Sequence, residues 1–187
     1  MRFLGNSEAK MDAKGRVFLP ATFRKQLQAA GEECLILRKD SYQNCLILYP
    51  ERAWNEQLNE LRSRLNRWDS KHQMVFRQFV SDVEIITLDS NGRFLIPKRY
   101  LKLTDIDQEV RFIGLDDTIE IWSAKAAEGP FMDAELFGKE LEEIMTKYTL
   151  KKKYHRLKDG SFINLEENNE IDFLDKLITG TDLKYKD

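Results

Sequence analysis

Asp12-Ala13-Lys14-Gly15-Arg16-Val17-Phe18-Leu19-Pro20 is the stretch that decides the fold, because the chain repeats it as Asp89-Ser90-Asn91-Gly92-Arg93-Phe94-Leu95-Ile96-Pro97. Aspartate, glycine, arginine and proline occupy the same places in both copies. An aspartate that opens a tight turn can accept bonds from nearby backbone N–H groups, and glycine tolerates positive φ. The apolar residues before each proline favour a short strand, and proline suits the first turn of a helix. Each copy therefore predicts strand, tight turn, strand and short helix.

The repeat continues into a predicted hairpin in each half. Cys34–Arg38 and Cys45–Tyr49 are apolar runs joined by a polar turn, and Val110–Leu115 and Ile119–Trp122 repeat that arrangement. A helical segment follows each hairpin. Each half is too small to bury its own sheet face, so we expect a mainly β protein with helices. The two halves should close on each other as one pseudo-symmetric β-barrel.

Several motifs occur in the order typical of one protein family. They are Phe3-Leu4-Gly5, the Asp12–Pro20 stretch, Leu48-Tyr49-Pro50 followed by Trp54, and the second copy ending in Ile121-Trp122. In these residues the chain resembles the MraZ family of bacterial transcriptional regulators over roughly Met1 to Tyr148. The resemblance implies tandem AbrB-like repeats in a swapped-hairpin barrel, with linking and C-terminal helices that build a homo-oligomeric ring.

The repeat and the helices between its copies predict five consecutive regions. They are a first AbrB-like half at 1–49, a linking helical pair at 50–80, a second half at 81–123, a closing helix at 124–148 and a C-terminal extension at 149–187. The extension is basic in its first part and acidic in its second, and it lies beyond the repeat.

The linking and closing helices carry apolar stripes. Trp54, Leu58, Leu61 and Leu65 recur at helical spacing after Pro50, and Ser70 is suited to cap a second linking helix. One interpretation is that the stripe packs on its own barrel. The resemblance favours an oligomer interface with a neighbouring subunit, made by Trp54, Leu58, Leu61 and Leu65 together with Phe137 and Leu141 of the closing helix.

Composition favours a globular protein of the cytoplasm. Charged residues make up 33% of the chain and hydrophobic residues 42%, and no apolar run approaches the length of a membrane span. The N-terminus lacks a secretory pattern. In a reducing compartment Cys34 and Cys45 are expected to be buried thiols, and with two distant histidines they show no metal-ligand spacing.

Charge is unevenly distributed, although the net charge is only −2. Between Met1 and Leu27, six basic residues accompany two acidic ones. Lys147–Lys158 contains basic residues and no acid, whereas Asp159–Asp187 is predominantly acidic. The acidic tail therefore masks basic surfaces in the whole-chain sum.

The sequence argues against an enzyme. It has no glycine-rich phosphate loop, no Gly-x-Ser-x-Gly and no His-Glu-x-x-His, and its two histidines are far apart. Asp12 and Asp89 are the best-placed acids, and turn geometry explains both. We expect no catalytic residue, no metal and no cofactor.

The basic turns are better candidates, because duplex DNA attracts lysine and arginine and a β-hairpin fits its major groove. The predicted DNA-binding residues are Lys14, Arg16, Lys10, Arg2 and Arg93, with Lys10 and Arg2 expected near the first turn by the chain path. The alternative is that Arg16 pairs with Asp12 and only stiffens the turn. Asp12, Gly15, Asp89 and Gly92 are interpreted as structural turn residues.

The resemblance also implies partners and a role. MraZ-like proteins bind short tandem repeats in double-stranded DNA upstream of their own operon of division and cell-wall genes, so a repressor at the nucleoid is expected. One alternative is an antitoxin-like module whose acidic tail, from Asp159, binds a protein partner. Another is RNA binding through the basic run near Lys151. The tail is also expected to cover the basic face weakly when DNA is absent.

Overall fold

The computed structural model describes residues 2–126, 129–156 and 162–164, and the chain divides into two compact units, Met1–Pro130 and Phe131–Asp187. The first unit contains β1 (Asn6–Lys10), β2 (Arg16–Phe18), α1 (Ala21–Ala30), β3 (Leu35–Lys39), β4 (Leu46–Pro50), α2 (Glu51–Arg64), α3 (Ser70–Ser81), β5 (Glu84–Ile86), β6 (Arg93–Leu95), α4 (Lys98–Leu103), β7 (Glu109–Leu115) and β8 (Thr118–Ser123). The second contains α5 (Ala134–Lys153), β9 (Tyr154–Arg156) and β10 (Phe162–Asn164).

Six strands of the first unit form one antiparallel sheet in the order β1-β7-β8-β4-β3-β5. This order is symmetric. Exchanging corresponding strands of the two copies (β1 with β5, β3 with β7 and β4 with β8) gives the same order read from the other end. The first strand of each copy lies on the hairpin of the other copy, because β1 pairs with β7 and β5 pairs with β3. The two halves therefore exchange their first strands.

The expectation of a mainly β fold with helices is confirmed. The six-stranded sheet is open, with β1 and β5 at its edges, and the described ladders do not join those edges into a closed barrel. β2 and β6 pair with each other as a separate two-stranded antiparallel sheet, here called the ribbon. β6, the strand that follows the second turn, thus lies directly beside β2, the strand that follows the first turn.

The main core contains apolar residues from both copies. The largest fully buried side chains include Phe3, Phe23, Tyr100 and Phe112. Phe3 meets Phe23 edge-on at 5.5 Å between ring centroids. Burial of each such side chain contributes on the order of 1.5–3 kcal/mol, so this shared core stabilises the paired halves together.

α2 and α3 form a helical pair that covers a second apolar cluster. The Trp54 ring stacks on Phe79 at 5.3 Å and meets Tyr49 at 5.5 Å. The heptad-like stripe, which continues to Trp68, predicted one helix up to a break at Asp69-Ser70, but α2 ends at Arg64 and Leu65 is extended. Asp69, and not Ser70, caps α3, since its carboxylate accepts bonds from two backbone N–H groups of the first turn.

In the second unit the closing helix expected within 124–148 is α5, which begins at Ala134 and continues to Lys153. β9 and β10 then pair antiparallel. Within the described residues, no helix has both the length and the apolar composition needed to cross a membrane.

Candidate nucleic-acid interface

The first turn is closed by the side chain of Asp12. Its Oδ1 atom accepts hydrogen bonds from the backbone N–H groups of Lys14 and Arg16, both at 2.9 Å. Its Oδ2 atom accepts a third bond from Nε of Arg16 at 2.7 Å. Gly15 has a φ of +84°, a left-handed conformation that favours glycine. One carboxylate thus satisfies three donors and fixes the start of β2.

The second turn repeats this geometry. Asp89 Oδ1 accepts from the backbone N–H groups of Asn91 and Arg93 at 2.9 Å, and Oδ2 accepts from Nε of Arg93 at 2.9 Å. Gly92 has a φ of +79°. The two turns are therefore equivalent in their hydrogen bonding, although Asn91 stands where the first turn has Lys14.

Both aspartates are held in their charged form. The hydrogen bond from the Arg16 backbone N–H is the main cause that holds the pKa of Asp12 below its usual value, and the guanidinium of Arg16 acts in the same direction. The backbone N–H of Arg93 lowers the pKa of Asp89 in the same way. Each arginine uses Nε in its pair, so its four Nη–H donors are left for other acceptors.

The ribbon has one buried face and one solvent-facing face. Arg16 lies opposite Leu95, and Phe18 lies opposite Arg93, so alternation places these four side chains together. Val17 and Phe94 point the other way and are 0% and 3% exposed. On the outer face Phe18 is 51% exposed and Leu95 50%. The two arginines are diagonal neighbours, which in a sheet are roughly 7–8 Å apart.

Backbone bonds tie each turn to the opposite copy. The N–H of Leu19 donates to the carbonyl of Gly92 at 3.1 Å, and the N–H of Ile96 donates to the carbonyl of Gly15 at 3.0 Å. The Arg93 guanidinium carbon also lies 5.7 Å from the centroid of the Phe18 ring. The two turns are consequently positioned relative to each other by the ribbon itself.

The two turns differ in what packs behind them. Arg24 of α1 donates from Nη1 to the carbonyl of Asn91 at 3.2 Å, and it fills the space where a Cβ on Gly92 would stand, with Nη1 2.2 Å from that position. The equivalent helix of the second copy offers Leu101, whose Cδ1 lies 3.8 Å from the Cβ position of Gly15. The first half therefore supplies a positive charge to the second turn.

The other predicted DNA-binding residues are placed unequally. Lys14 is exposed at the tip of the first turn, and Lys10 is exposed at the last position of β1. Arg2 is not near them: its neighbour Phe3 bridges Asp116, and Nε of Arg2 lies 3.4 Å from the Asp116 carboxylate. The expectation that Arg2 lies beside the first turn is wrong, because Phe3 pairs with Asp116 and Lys10 with Glu109, and these partners lie at opposite ends of β7, roughly 20 Å apart.

The predicted oligomer-interface residues also fall into different environments. Trp54 is 8% exposed and packs inside its own chain. For this residue the stripe therefore packs on its own chain and not on a neighbouring subunit. Leu58, Leu61 and Leu65 are half-buried. On α5, Phe137 and Leu141 are 56% and 46% exposed. A surface for a second subunit would therefore use the later leucines and α5, without Trp54.

Sequence reasoning missed Phe18 and Arg24. Phe18 could have been identified from alternation, since Val17 and Leu19 are suited to the core and the residue between them must face outward. Arg24 gave no such signal, because its partner turn is distant in sequence. Only the contact between the two copies makes it part of the second turn.

The described residues contain no group of three or more histidine, cysteine, aspartate or glutamate side chains that could hold a metal ion. Cys45 is buried, and burial raises its pKa to about 12, so its thiol stays protonated. Cys34 is half-buried, and both cysteines are free thiols.

Comparison with known proteins identifies relatives over the repeat region. The family model described as "MraZ protein, putative antitoxin-like" matches residues 2–78 and 80–128. A second model, described as bacterial SNF2 helicase associated, matches residues 131–187, of which 131–156 and 162–164 are among the described residues.

Full-length relatives agree with the first match. A Phocaeicola vulgatus protein named transcriptional regulator MraZ is 79% identical over 145 residues, which cover 78% of this chain and 94% of the relative. A protein of the same name from Bacteroides thetaiotaomicron is 69% identical, covering 78% and 93%. Another from Christiangramia forsetii is 32% identical, covering 78% and 94%. The repeated motif, the family match and these relatives lead to one conclusion: the chain belongs to the MraZ family.

Proposed function

We propose that the chain is a transcription regulator that binds double-stranded DNA through the outer face of the ribbon and its two braced turns. The observation that carries the proposal is the pair of arginines, Arg16 and Arg93, held as diagonal neighbours on the solvent-facing side of the ribbon. The names of the relatives, transcriptional regulator MraZ, support the same role.

The chemistry of the outer face suits duplex DNA. A two-stranded ribbon is one of the elements that the major groove admits, and arginine can donate two parallel bonds to a guanine edge or bind phosphate. Lys14 and Lys10 add phosphate contacts beside the first turn. Phe18 and Leu95 offer apolar surface between the arginines, which is suited to thymine methyl groups.

The ion pair between Asp12 and Arg16 does not prevent Arg16 from contacting DNA. The alternative to DNA contact was that Arg16 only stiffens the turn through Asp12, and the Asp12–Arg16 ion pair is indeed formed. That pair uses Nε alone, so the remaining donors can reach a second acceptor. A guanidinium already fixed by its aspartate also loses less conformational freedom on binding, which favours affinity.

The proposal extends to assembly and regulation. The two AbrB-like halves exchange their first strands as a swapped-hairpin unit, and several copies build a homo-oligomeric ring that engages short tandem repeats with an avidity set by their spacing. The ring represses its own operon of division and cell-wall genes from the cytoplasm, at the nucleoid. It needs no cofactor.

Fluorescence anisotropy tests the proposal with labelled DNA from upstream of the protein's own operon and scrambled DNA as control. Wild type should prefer the upstream DNA and bind more weakly as salt rises. Arg16→Ala should lose at least about tenfold in affinity, or about 1.4 kcal/mol, while keeping its oligomeric mass. Equal binding of both DNAs by wild type would contradict the proposal.

A second candidate function is favoured by the family description, which includes the term antitoxin-like. In this alternative the acidic extension from Asp159, which lies mostly outside the described residues, binds a protein partner. The discriminating experiment compares the full chain with a variant ending at residue 158. A co-purifying protein that requires residues 159–187, together with DNA binding that is insensitive to Arg16→Ala, would favour this alternative.

A further inference from the structure

A cavity of about 410 Å³ lies between α3 and the turn that joins β3 to β4. Residues 38–41, at the end of β3 and the start of the turn, form one side of it. Val75, Gln78, Phe79 and Asp82, which share one face of α3 and its end, form the other. Cavities of roughly 300–1,000 Å³ are typical of small-molecule sites, so this one has room for a compact ligand.

Arg38 borders the cavity and is only 8% exposed. It shares a face of β3 with Ile36, and this face is covered by the apolar cluster beneath the helical pair. Its guanidinium carbon lies 4.2 Å from the centroid of the Phe79 ring. Taking a guanidinium out of water is costly unless other groups compensate its charge and its hydrogen bonds.

The compensation of Arg38 is incomplete within the described residues. Its Nε atom is buried and has no hydrogen-bond partner, and no carboxylate there forms an ion pair with it. Nη2 donates to the hydroxyl of Ser41 at 3.3 Å. Burial raises the pKa of the nearby Tyr49 phenol, although Arg38 opposes this, so Tyr49 supplies no negative charge at neutral pH.

The two acids of the cavity are engaged elsewhere. Oδ1 of Asp40 accepts two backbone N–H groups of its own turn. Oδ1 of Asp82 lies 3.3 Å from Nη1 of Arg99. Nζ of Lys39 donates to two turn carbonyls, at 3.1 and 2.7 Å. The cavity thus contains two cations, Arg38 and Lys39, that have no carboxylate partner among the described residues.

We propose that this cavity binds a small molecule carrying a carboxylate or phosphate group, with Arg38 as the main contact of that group. A guanidinium presents parallel N–H donors that match the oxygens of such a group. The Ser41 hydroxyl and the Gln78 amide are exposed at the cavity and can donate further bonds. Val75 and Phe79 provide apolar surface for the rest of the ligand.

The site is separate from the ribbon. No residue of the ribbon or of its two turns lines the cavity. The proposal therefore stands independently of DNA binding, and the two are measured in different experiments.

Thermal unfolding of the full chain tests the proposal, with sodium phosphate and sodium acetate as probes at an ionic strength held constant with sodium chloride. The melting temperature of wild type should rise with at least one probe and follow the saturation of a single site. Arg38→Met keeps an apolar contact with Phe79 and removes the charge, so it should abolish the rise. If Arg38 only stacks on Phe79, wild type should show no such rise.

A direct measurement is the ¹⁵N NMR signal of the arginine Nε–H groups. The signal that disappears in Arg38→Met identifies Arg38. In wild type this signal should shift when the effective probe is added, and the shift should saturate over the same concentrations as the rise in melting temperature.

Matched variants separate site binding from general charge effects. Arg52→Met removes an exposed arginine that is already paired with Glu56, and it should keep the wild-type response. Gln78→Glu places a negative charge at the cavity without touching a buried side chain, so it should weaken apparent affinity for the probe several-fold. Gln28→Glu, on α1 and outside the cavity lining, should not. This second pair keeps the test valid if Arg38→Met does not fold.

The outcomes decide the proposal. The absence of a saturable response to both probes in wild type would overturn it. A response that survives Arg38→Met or Gln78→Glu unchanged would place the anion elsewhere and would also overturn it, as would an equal loss in Arg52→Met. A response to phosphate alone or to acetate alone, lost in the cavity variants only, would support the site and identify the group that it prefers.

Discussion

The two turns of the ribbon share their bracing and differ in their source of positive charge. Asp12 and Asp89 accept the same three hydrogen bonds, but Lys14 in the first turn is replaced by Asn91 in the second. Arg24, from the other half, packs against Asn91 and Gly92. The comparison shows that a turn with fewer basic residues of its own can gain positive charge from a residue of the other half.

The largest difference is expected from alanine at the two turn glycines. Both have positive φ, so alanine costs on the order of 1–3 kcal/mol at either site. Gly92→Ala should cost more than Gly15→Ala, because its Cβ would collide with the Arg24 side chain, whereas Gly15 has 3.3 Å to the nearest atom. Urea unfolding measures both free energies. Equal losses would show that Arg24 simply moves aside.

The next comparison is between the two arginines in DNA binding. Arg93→Ala should reduce affinity by about tenfold, or about 1.4 kcal/mol, and so match Arg16→Ala, since the ribbon presents both on the same face. Anisotropy in the same salt series measures both variants, with thermal unfolding as the folding control. Unchanged binding by Arg93→Ala would mean that only the first turn contacts DNA.

A smaller effect is expected from exchanging the residues behind the turns. Arg24→Leu gives the second turn the neighbour that the first turn has, and Leu101→Arg does the reverse. Removing one positive charge near the phosphates should lower the slope of log affinity against log salt by about 0.9, with a modest loss of affinity at low salt. Leu101→Arg should raise the slope.

The matched control for this exchange is Arg24→Lys, which keeps the charge and loses the bond geometry. It should retain the salt slope of wild type. If Arg24→Leu weakens DNA binding with the slope unchanged, Arg24 only positions the turn, and the second turn is not an electrostatic equivalent of the first.

The smallest difference concerns pH. Because folding lowers the pKa of Asp12 and of Asp89, each contributes stability above the unfolded-state pKa near 4, and this contribution is lost as pH falls through the folded-state value. Asp12→Asn and Asp89→Asn should each flatten the decline of unfolding free energy below about pH 4 to the same extent. A strong effect from one alone would show that the braces are not equivalent.

Local features were predictable from the sequence, and contacts between the halves were not. The repeated motif predicted the hairpins and short helices, because turn residues and β-formers act over a few positions. The pairing of Arg16 with Leu95 across the ribbon required knowledge of how the copies dock. The placement of Arg2 failed for the same reason, since proximity along the chain was taken for proximity in space.

The α2 stripe shows a further limit. Trp54 and the following leucines have the spacing of an intersubunit seam, yet the same spacing suits packing on the chain's own sheet. Trp54 is stacked on Phe79, which belongs to the next helix. Periodicity identifies the face of a helix that will be covered, but it does not identify the surface that covers it.

The exchange of first strands has a consequence for synthesis of the chain. β1 pairs with β7, so the hydrogen bonds of β1 cannot form until the chain has been synthesised as far as Glu109, the partner of Lys10. At a synthesis rate of about 5–20 residues per second, the strand stays unpaired on the ribosome for roughly 5–20 s. A nascent first half therefore exposes an open β edge, and folding is completed only when most of the second half has emerged.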